Sequence, residues 1–208
     1  MRSRYAIMLD GGFVTKKLFE KTKAFATADD IVALCDEIKK CEYLKEYELL
    51  RIYYYDAPPS DESVKLPISR AKHDLASTPR YRHSQSLYDV LVLKPGFALR
   101  MGETKLSNDG WKLKPSTIKA LKRAPRELTD EDFVLDIQQK GVDLRIGLDM
   151  ARLALRELVS AVVVVTGDSD FVPAFKFVRR EGVKVLLATL GHKSVRPELK
   201  MHSDFVLS

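Results

Sequence analysis

The sequence predicts an α/β domain whose central sheet is mostly parallel and covered on both faces. Three observations carry this: short apolar runs stop abruptly at Asp or Gly, segments of helical period separate them, and Ala161-Val162-Val163-Val164-Val165-Thr166 is a β-branched run suited to a buried central strand. That run is followed by Gly167-Asp168-Ser169-Asp170, a helix from about Phe171 to Glu181, a stop at Gly182 and a further strand from Val183 to Ala188, which is a βαβ unit with an expected right-handed crossover.

The other elements follow in chain order. Tyr5 to Leu9 reads as a buried strand that delivers Asp10 to the turn Gly11-Gly12. Ile31, Leu34, Cys35 and Ile38 recur at helical spacing between about Ala28 and Lys40, with Asp29 and Asp30 as capping candidates. Leu49 to Tyr55 is a second strand, ended by Asp56-Ala57-Pro58-Pro59, and Tyr88 to Leu93 reads as a third, ended by Lys94-Pro95-Gly96. Phe97 to Leu106 and Trp111 to Leu113 flank Ser107-Asn108-Asp109-Gly110, which predicts a hairpin inserted into the core. Phe133 to Ile137 is a short apolar stretch leading through Lys140-Gly141-Val142-Asp143 into a helix to about Leu158, with Leu144, Leu148, Ala151 and Leu155 on one stripe. A short helix near Val195 to Met201 and a strand at Phe205 to Leu207 close the chain.

Composition narrows the function class. At 208 residues and 45% hydrophobic content, the chain is long enough for one globular unit with decorations. No run approaches the ~18 apolar residues of a membrane span, and the N-terminus lacks the pattern of a secretion signal, so a cytoplasmic protein with no membrane partner is expected. Cys35 and Cys41 lack metal-ligand spacing and read as reduced thiols. His73, His83, His192 and His202 are scattered and receive no role. A formal charge of +6 suits a polyanionic partner. Between Lys94 and Arg126 nine Lys or Arg face two acids, with Phe97 and Trp111 interleaved, a net +7 that concentrates the basic character there. Lys94, Arg100, Trp111, Lys112 and Lys114 are therefore candidate nucleic-acid contacts, a backbone-tracking surface with a ring to stack a base, and Lys16 and Lys17 would add phosphate contacts beside the first strand's end.

The carboxylates point to the chemistry. Asp10, Asp56, Asp168 and Asp170 each follow a predicted strand, where open parallel sheets bind ligands, and Asp143 opens a helix. If the strands before Asp10, Asp143 and Asp168 are neighbours, Asp10, Asp143, Asp168 and Asp170 converge. Clustered carboxylates are costly without a cation, and hard oxygen donors without a nearby histidine select Mg²⁺ or Mn²⁺. Such a site suits phosphodiester hydrolysis. Simpler roles compete: Asp143, Asp168 and Asp170 are placed to cap helices, and Asp149 has Arg145, Arg152 and Arg156 at ion-pair spacing.

Met8-Leu9-Asp10-Gly11-Gly12, Lys140-Gly141-Val142-Asp143 and Val164-Val165-Thr166-Gly167-Asp168-Ser169-Asp170-Phe171-Val172-Pro173 together resemble the NYN family of PIN-like domains, in its bacterial LabA-like branch. The resemblance implies a PIN-like, Rossmann-type three-layer fold over residues 1–208, with variable sequence at about 94–130 that holds the basic hairpin and helix. It implies an Mg²⁺- or Mn²⁺-dependent ribonuclease whose catalytic and metal-binding residues are Asp10, Asp143, Asp168 and Asp170, and in which Thr166 and Ser169 shape the site through their hydroxyls. Asp149 matches a further acidic position, and a homodimer is the expected assembly. The first motif departs from the family's usual Asp-Gly-x-Asn: Phe13 stands where the asparagine would, so an amide that would orient a phosphate or water is absent.

A haloacid-dehalogenase phosphatase shares the late acidic motif but needs a second acid two residues after its nucleophile, and Gly12 stands there. EF-hand and Gly-x-x-x-x-Gly-Lys phosphate-loop patterns are absent. The rival that survives is a PIN-like module that binds RNA or a protein without cutting.

Overall fold

The computed structural model describes residues 3–192 and 195–207, with the side chains of Asn108 and Asp109 outside that description. In chain order the elements are β1 (Arg4–Asp10), α1 (Gly11–Thr22), α2 (Ala28–Lys39), β2 (Glu48–Asp56), β3 (Ser63–Lys65), β4 (Lys72–Asp74), α3 (Pro79–Leu91), β5 (Phe97–Met101), β6 (Glu103–Leu113), α4 (Pro115–Arg123), β7 (Phe133–Lys140), α5 (Val142–Leu155), β8 (Ala161–Val165), α6 (Val172–Arg180), β9 (Lys184–Ala188), α7 (Pro197–Met201) and β10 (Phe205–Leu207). Six strands form one sheet in the order β10-β9-β8-β1-β2-β5, every pair parallel.

Alternation along the strands builds three layers. Tyr5, Ile7 and Leu9 of β1 and Ala161, Val163 and Val165 of β8 pack with Val14 of α1, Ile31 and Cys35 of α2 and Leu87 and Leu91 of α3. The intervening Ala6, Met8, Val162 and Val164 pack on the other face with Ile146, Met150 and Leu153 of α5, Phe175 and Val178 of α6 and Leu199 of α7. The chain leaves β1 in one direction toward β2 and β5 and later returns beside β1 as β8, so the β1/β8 boundary is the point where strand order reverses. Ligands in such sheets sit at the carboxyl ends of those strands.

Several expectations need correcting. Tyr88 to Leu93 is not a strand but the end of α3 and the turn after it; Thr78 accepts from Tyr81 N as the N-cap, Pro79 opens the helix, and Leu87, Tyr88 and Leu91 bury one face while Val90, Val92 and Leu93 stay exposed. The third strand on that side of the sheet is β5, which pairs with β2 through Ile52↔Phe97 to Asp56↔Met101.

The expected hairpin at Ser107-Asn108-Asp109-Gly110 is instead an irregularity inside the single strand β6. The pairing of β6 with β7 shifts between Leu106 and Trp111, and Gly110 takes φ +68 there. These two strands form their own antiparallel ribbon, so β7 is not a neighbour of β1 or β8. The chain leaves the central sheet only after β5, later than Lys94.

Two helix ends also differ. Thr27, not Asp29 or Asp30, caps α2, and Asp30 completes a capping box from the third helical position. Gly141 caps α5 at φ 77 with no side-chain bond, so Asp143 is not the cap, and the helix ends at Leu155. The stripe Leu144, Leu148 and Leu155 faces outward at 66%, 60% and 61% exposure, and the buried stripe is Val142, Ile146, Met150, Leu153 and Ala154.

Candidate active site

Asp10 is where the buried strand β1 meets solvent, and the chain there turns at once into α1. Its Oδ1 accepts from Phe13 N at 3.1 Å, capping the helix, and its Oδ2 accepts from the Thr166 hydroxyl at 2.9 Å. The turn demands small residues: a Cβ on Gly11 would lie 2.7 Å from the Tyr54 ring and from the Tyr55 carbonyl oxygen, and one on Gly167 would lie 2.6 Å from the Phe13 ring. Thr166 follows β8 and is fully buried. Its oxygen also accepts from Asp168 N at 3.2 Å, so one hydroxyl ties Asp10 to the turn carrying Asp168 and Asp170. Asp168 Oδ1 accepts from Asp170 N at 2.9 Å and caps the 3₁₀ turn Ser169–Phe171 that leads into α6.

Asp143 links the predicted carboxylates by charge. Burial pushes the Asp10 carboxyl above its usual range, the bonds from Phe13 and Thr166 oppose this, and the Asp143 and Asp56 carboxylates add to the rise. Asp143, in the first turn of α5, is raised by burial and then by Asp168 and Asp170. Asp143, Asp168 and Asp170 are exposed and Asp10 is half-buried. Among the described residues, no three His, Cys, Asp or Glu stand in an arrangement that holds a metal ion. Ser169 lies between Asp168 and Asp170, and its hydroxyl makes no hydrogen bond among the described residues.

Asp149 does not join this group. Its side chain, 15% exposed, accepts from the Tyr55 hydroxyl at 3.0 Å and pairs with Arg100 Nε at 3.0 Å, while the Arg100 guanidinium lies over the Tyr53 ring. The expected ion-pair face with Arg145, Arg152 and Arg156 is therefore wrong. Asp149 sits beside the buried stripe of α5 and turns toward β2 and β5.

The basic stretch is largely paired. Lys94 bonds Asp29, Arg100 bonds Asp149, Lys105 approaches Glu103, Lys112 bonds Asp136 and Arg126 bonds Asp132. Lys114 donates to the Glu131 carbonyl at 2.6 Å, and Trp111 donates its indole N–H to the Lys65 carbonyl at 2.9 Å. Lys119, Lys122 and Arg123 of α4 have no carboxylate partner among the described residues. Near the carboxylates, Lys17 pairs with Glu20 and Lys16 is exposed.

Three further residues neighbour the site; the sequence marks Asp56 only as a strand-end carboxylate and gives no signal for the other two. Asp56, 7% exposed, accepts from Tyr54 and Tyr88 hydroxyls at 3.2 and 3.1 Å and from Ala57 N at 2.8 Å; burial raises its carboxyl against those bonds, and it backs Asp10 from β2. Gln139 of β7 brings its amide oxygen within 4.0 Å of the place a Gly12 Cβ would occupy, which is itself 3.6 Å from Asp10 Oδ1. The His192 ring packs edge-on to Phe13 at 5.7 Å, at the carboxyl end of β9. The packing that brings Gln139 of β7 to Gly12 and the loop after β9 to Gly167 is a tertiary matter, so periodicity holds no trace of it.

Carboxylates gathered at a strand-order reversal, on glycine turns that leave no room for side chains, set the frame for comparison. Residues 108–207 match the NYN domain family. The NYN match takes in Asp143, Asp168 and Asp170 and leaves Asp10 to be placed by geometry. It reaches the family as a whole and not the LabA-like branch. No curated protein matches the chain. The fold is similar to that of a protein of unknown function from Vibrio parahaemolyticus RIMD 2210633, with a TM-score of 0.54 and 16% identity over 99% of this chain and 92% of that one. Among the described residues, no helix is long and apolar enough to cross a membrane.

Proposed function

We propose that this chain is a divalent-cation-dependent ribonuclease that hydrolyses RNA phosphodiester bonds at Asp10, Asp143, Asp168 and Asp170. The observation that carries this reading is electrostatic. Asp10 is destabilised by burial and by Asp143, and Asp143 by burial and by Asp168 and Asp170, at the carboxyl ends of the strands where the sheet order reverses. Like charges gathered at a ligand-binding position are stabilised by a cation.

The donor chemistry fits Mg²⁺ or Mn²⁺: carboxylate oxygens, with hydroxyls of Thr166 and Ser169 nearby. A cation there would supply charge neutralisation of the scissile phosphate and a water of lowered pKa. The chain's own part is division of labour. Asp10 is held rigid by Phe13 N and Thr166, while Asp143, Asp168 and Asp170 present carboxylates to solvent where a phosphate approaches. Lys16 and the α4 cations that have no carboxylate partner among the described residues attract the backbone, and the Gln139 amide beside Gly12 could take the place of the amide absent at Phe13.

A non-catalytic RNA- or protein-binding module is the second reading, favoured by one observation: the carboxylates do not form a closed metal-holding group among the described residues. Cleavage of an end-labelled single-stranded RNA with Mn²⁺, Mg²⁺ or EDTA, with Asp168→Asn beside the wild type, separates the two. Cutting that requires the cation and disappears in the variant supports the nuclease. Binding without cutting supports the second reading.

A further inference from the structure

Three aromatic rings stand together in solvent where the end of α1 meets the N-terminal part of α3. Phe19 and Phe25 are 46% and 45% exposed, and their ring centroids lie 5.9 Å apart. Phe25 stacks on the exposed His83 at 4.5 Å with 19° between the planes. A lone exposed apolar side chain needs no explanation, but a contiguous exposed aromatic group marks a binding surface. Neither phenylalanine belongs to the apolar core on this face of the sheet.

The charge around the rings is predominantly positive. Residues 16–25 carry Lys16, Lys17, Lys21 and Lys23 against Glu20, and Arg80 and Arg82 precede His83 in the chain. Of these six cations only Lys17 has a carboxylate partner among the described residues. Aromatic faces set among free cations are the combination that holds single-stranded nucleic acid, because every base has a stackable face and every link a phosphate. The place also fits. Asp10 caps α1, and Phe19 lies eight residues beyond Gly11, about 12 Å along the helix axis.

We propose that Phe25 and His83, with Phe19 beside them, are a stacking platform for unpaired bases of an RNA strand that leaves the carboxylate cleft along α1. This rests on the ribonuclease reading for the path of the strand, and it restricts the substrate class to RNA that is single-stranded a few nucleotides from the cut. Duplex RNA keeps its base faces covered and gains nothing from the platform.

The test measures fluorescence anisotropy with the full chain in EDTA, so that cleavage plays no part. A labelled single strand of about a dozen nucleotides is compared with the same strand in which a central run is abasic, using wild type, His83→Ala and Phe25→Ala/His83→Ala, with thermal melts as the check on folding. Stacking of one base predicts a loss of about tenfold in affinity for the abasic strand with the wild type. In the double variant both strands bind equally and at the weaker level. His83→Ala, a change at an exposed position, shows part of the loss even if the double variant fails to fold. Equal binding of the two strands by the wild type, or a preference kept by a folded double variant, overturns the platform and leaves the nuclease reading standing. A dimer of the wild type that dissociates in the variants, with no base preference, also overturns it, since a second copy then covers the rings. Failure to bind either strand removes the RNA reading itself.

Discussion

The Thr166 hydroxyl donates to Asp10 Oδ2 at 2.9 Å across the carboxyl ends of β8 and β1, and the same oxygen accepts from Asp168 N at 3.2 Å. One atom thus sets the spacing between a carboxylate delivered by one strand and a turn delivered by the next. Thr166→Val preserves volume and removes both bonds. It is expected to destabilise the fold by about 1–3 kcal/mol, the range for a hydrogen bond to a charged group, and to lower RNA cleavage by about 10–100-fold, the usual cost of losing a partner that orients a ligand. Thr166→Ser should restore most of both. Denaturant unfolding and cleavage rates on the three proteins check it.

Asp143 should be a liability to the apo fold. Its carboxyl is raised, first by burial and then by Asp168 and Asp170, so the folded chain holds the proton better than the unfolded chain. Its contribution therefore favours folding below the ordinary carboxylate range and is lost as pH rises through the raised pKa. Asp143→Asn is expected to melt slightly higher than wild type in EDTA at neutral pH, by no more than about 2 °C given the group's exposure. The difference should shrink as pH falls into the carboxylate range. The rise in Tm that Mn²⁺ gives the wild type should be reduced in the variant; an identical rise would remove Asp143 from the cation site.

Asp132 has the opposite sign. Arg126 holds its carboxyl well below the usual range, helped by Thr129 N and opposed by burial, with the Thr117 hydroxyl adding a further bond. Stability from a depressed carboxyl is present above its ordinary pKa and is lost as pH falls through the depressed one. Arg126→Ala leaves a buried carboxylate without its cation, so melting at neutral pH should fall. Because Asp132 then titrates nearer its usual range, acid unfolding should begin at higher pH than in the wild type. Circular dichroism melts from neutral pH into acid check both parts.

How far the sequence reads depends on the kind of boundary. The strands before Asp10, Asp56 and Asp168 were legible because each is an apolar run stopped by a residue that cannot continue it, and the glycines at 11 and 167 were legible as turns. The misreading of Tyr88 to Leu93 has a definite cause. Periodicity does not separate a short apolar run in a strand from one in a helix, and the deciding signals, Thr78 and Pro79, lie well upstream. On α5 the spacing of Leu144, Leu148, Ala151 and Leu155 did identify a helix. The helix carries a second apolar stripe through Ile146, Met150 and Leu153, and only its packing against the sheet and α6 selects which one is buried.

The sequence by itself determined the parallel α/β class, the strands β1, β2, β8, β9 and β10, and the delivery of Asp10, Asp168 and Asp170 to strand ends, because burial pattern and turn chemistry are local properties of the chain. Tertiary structure decided which carboxylates meet. It put β8 beside β1 and so joined Thr166 to Asp10, sent β7 out of the sheet while bringing Gln139 back to Gly12, and turned Asp149 away to Arg100 and Tyr55. It also paired most of the basic stretch and left Phe19, Phe25 and His83 in solvent. These outcomes depend on contacts between residues far apart in the chain, where loop closure and packing choose the partner and no repeat in the sequence records it.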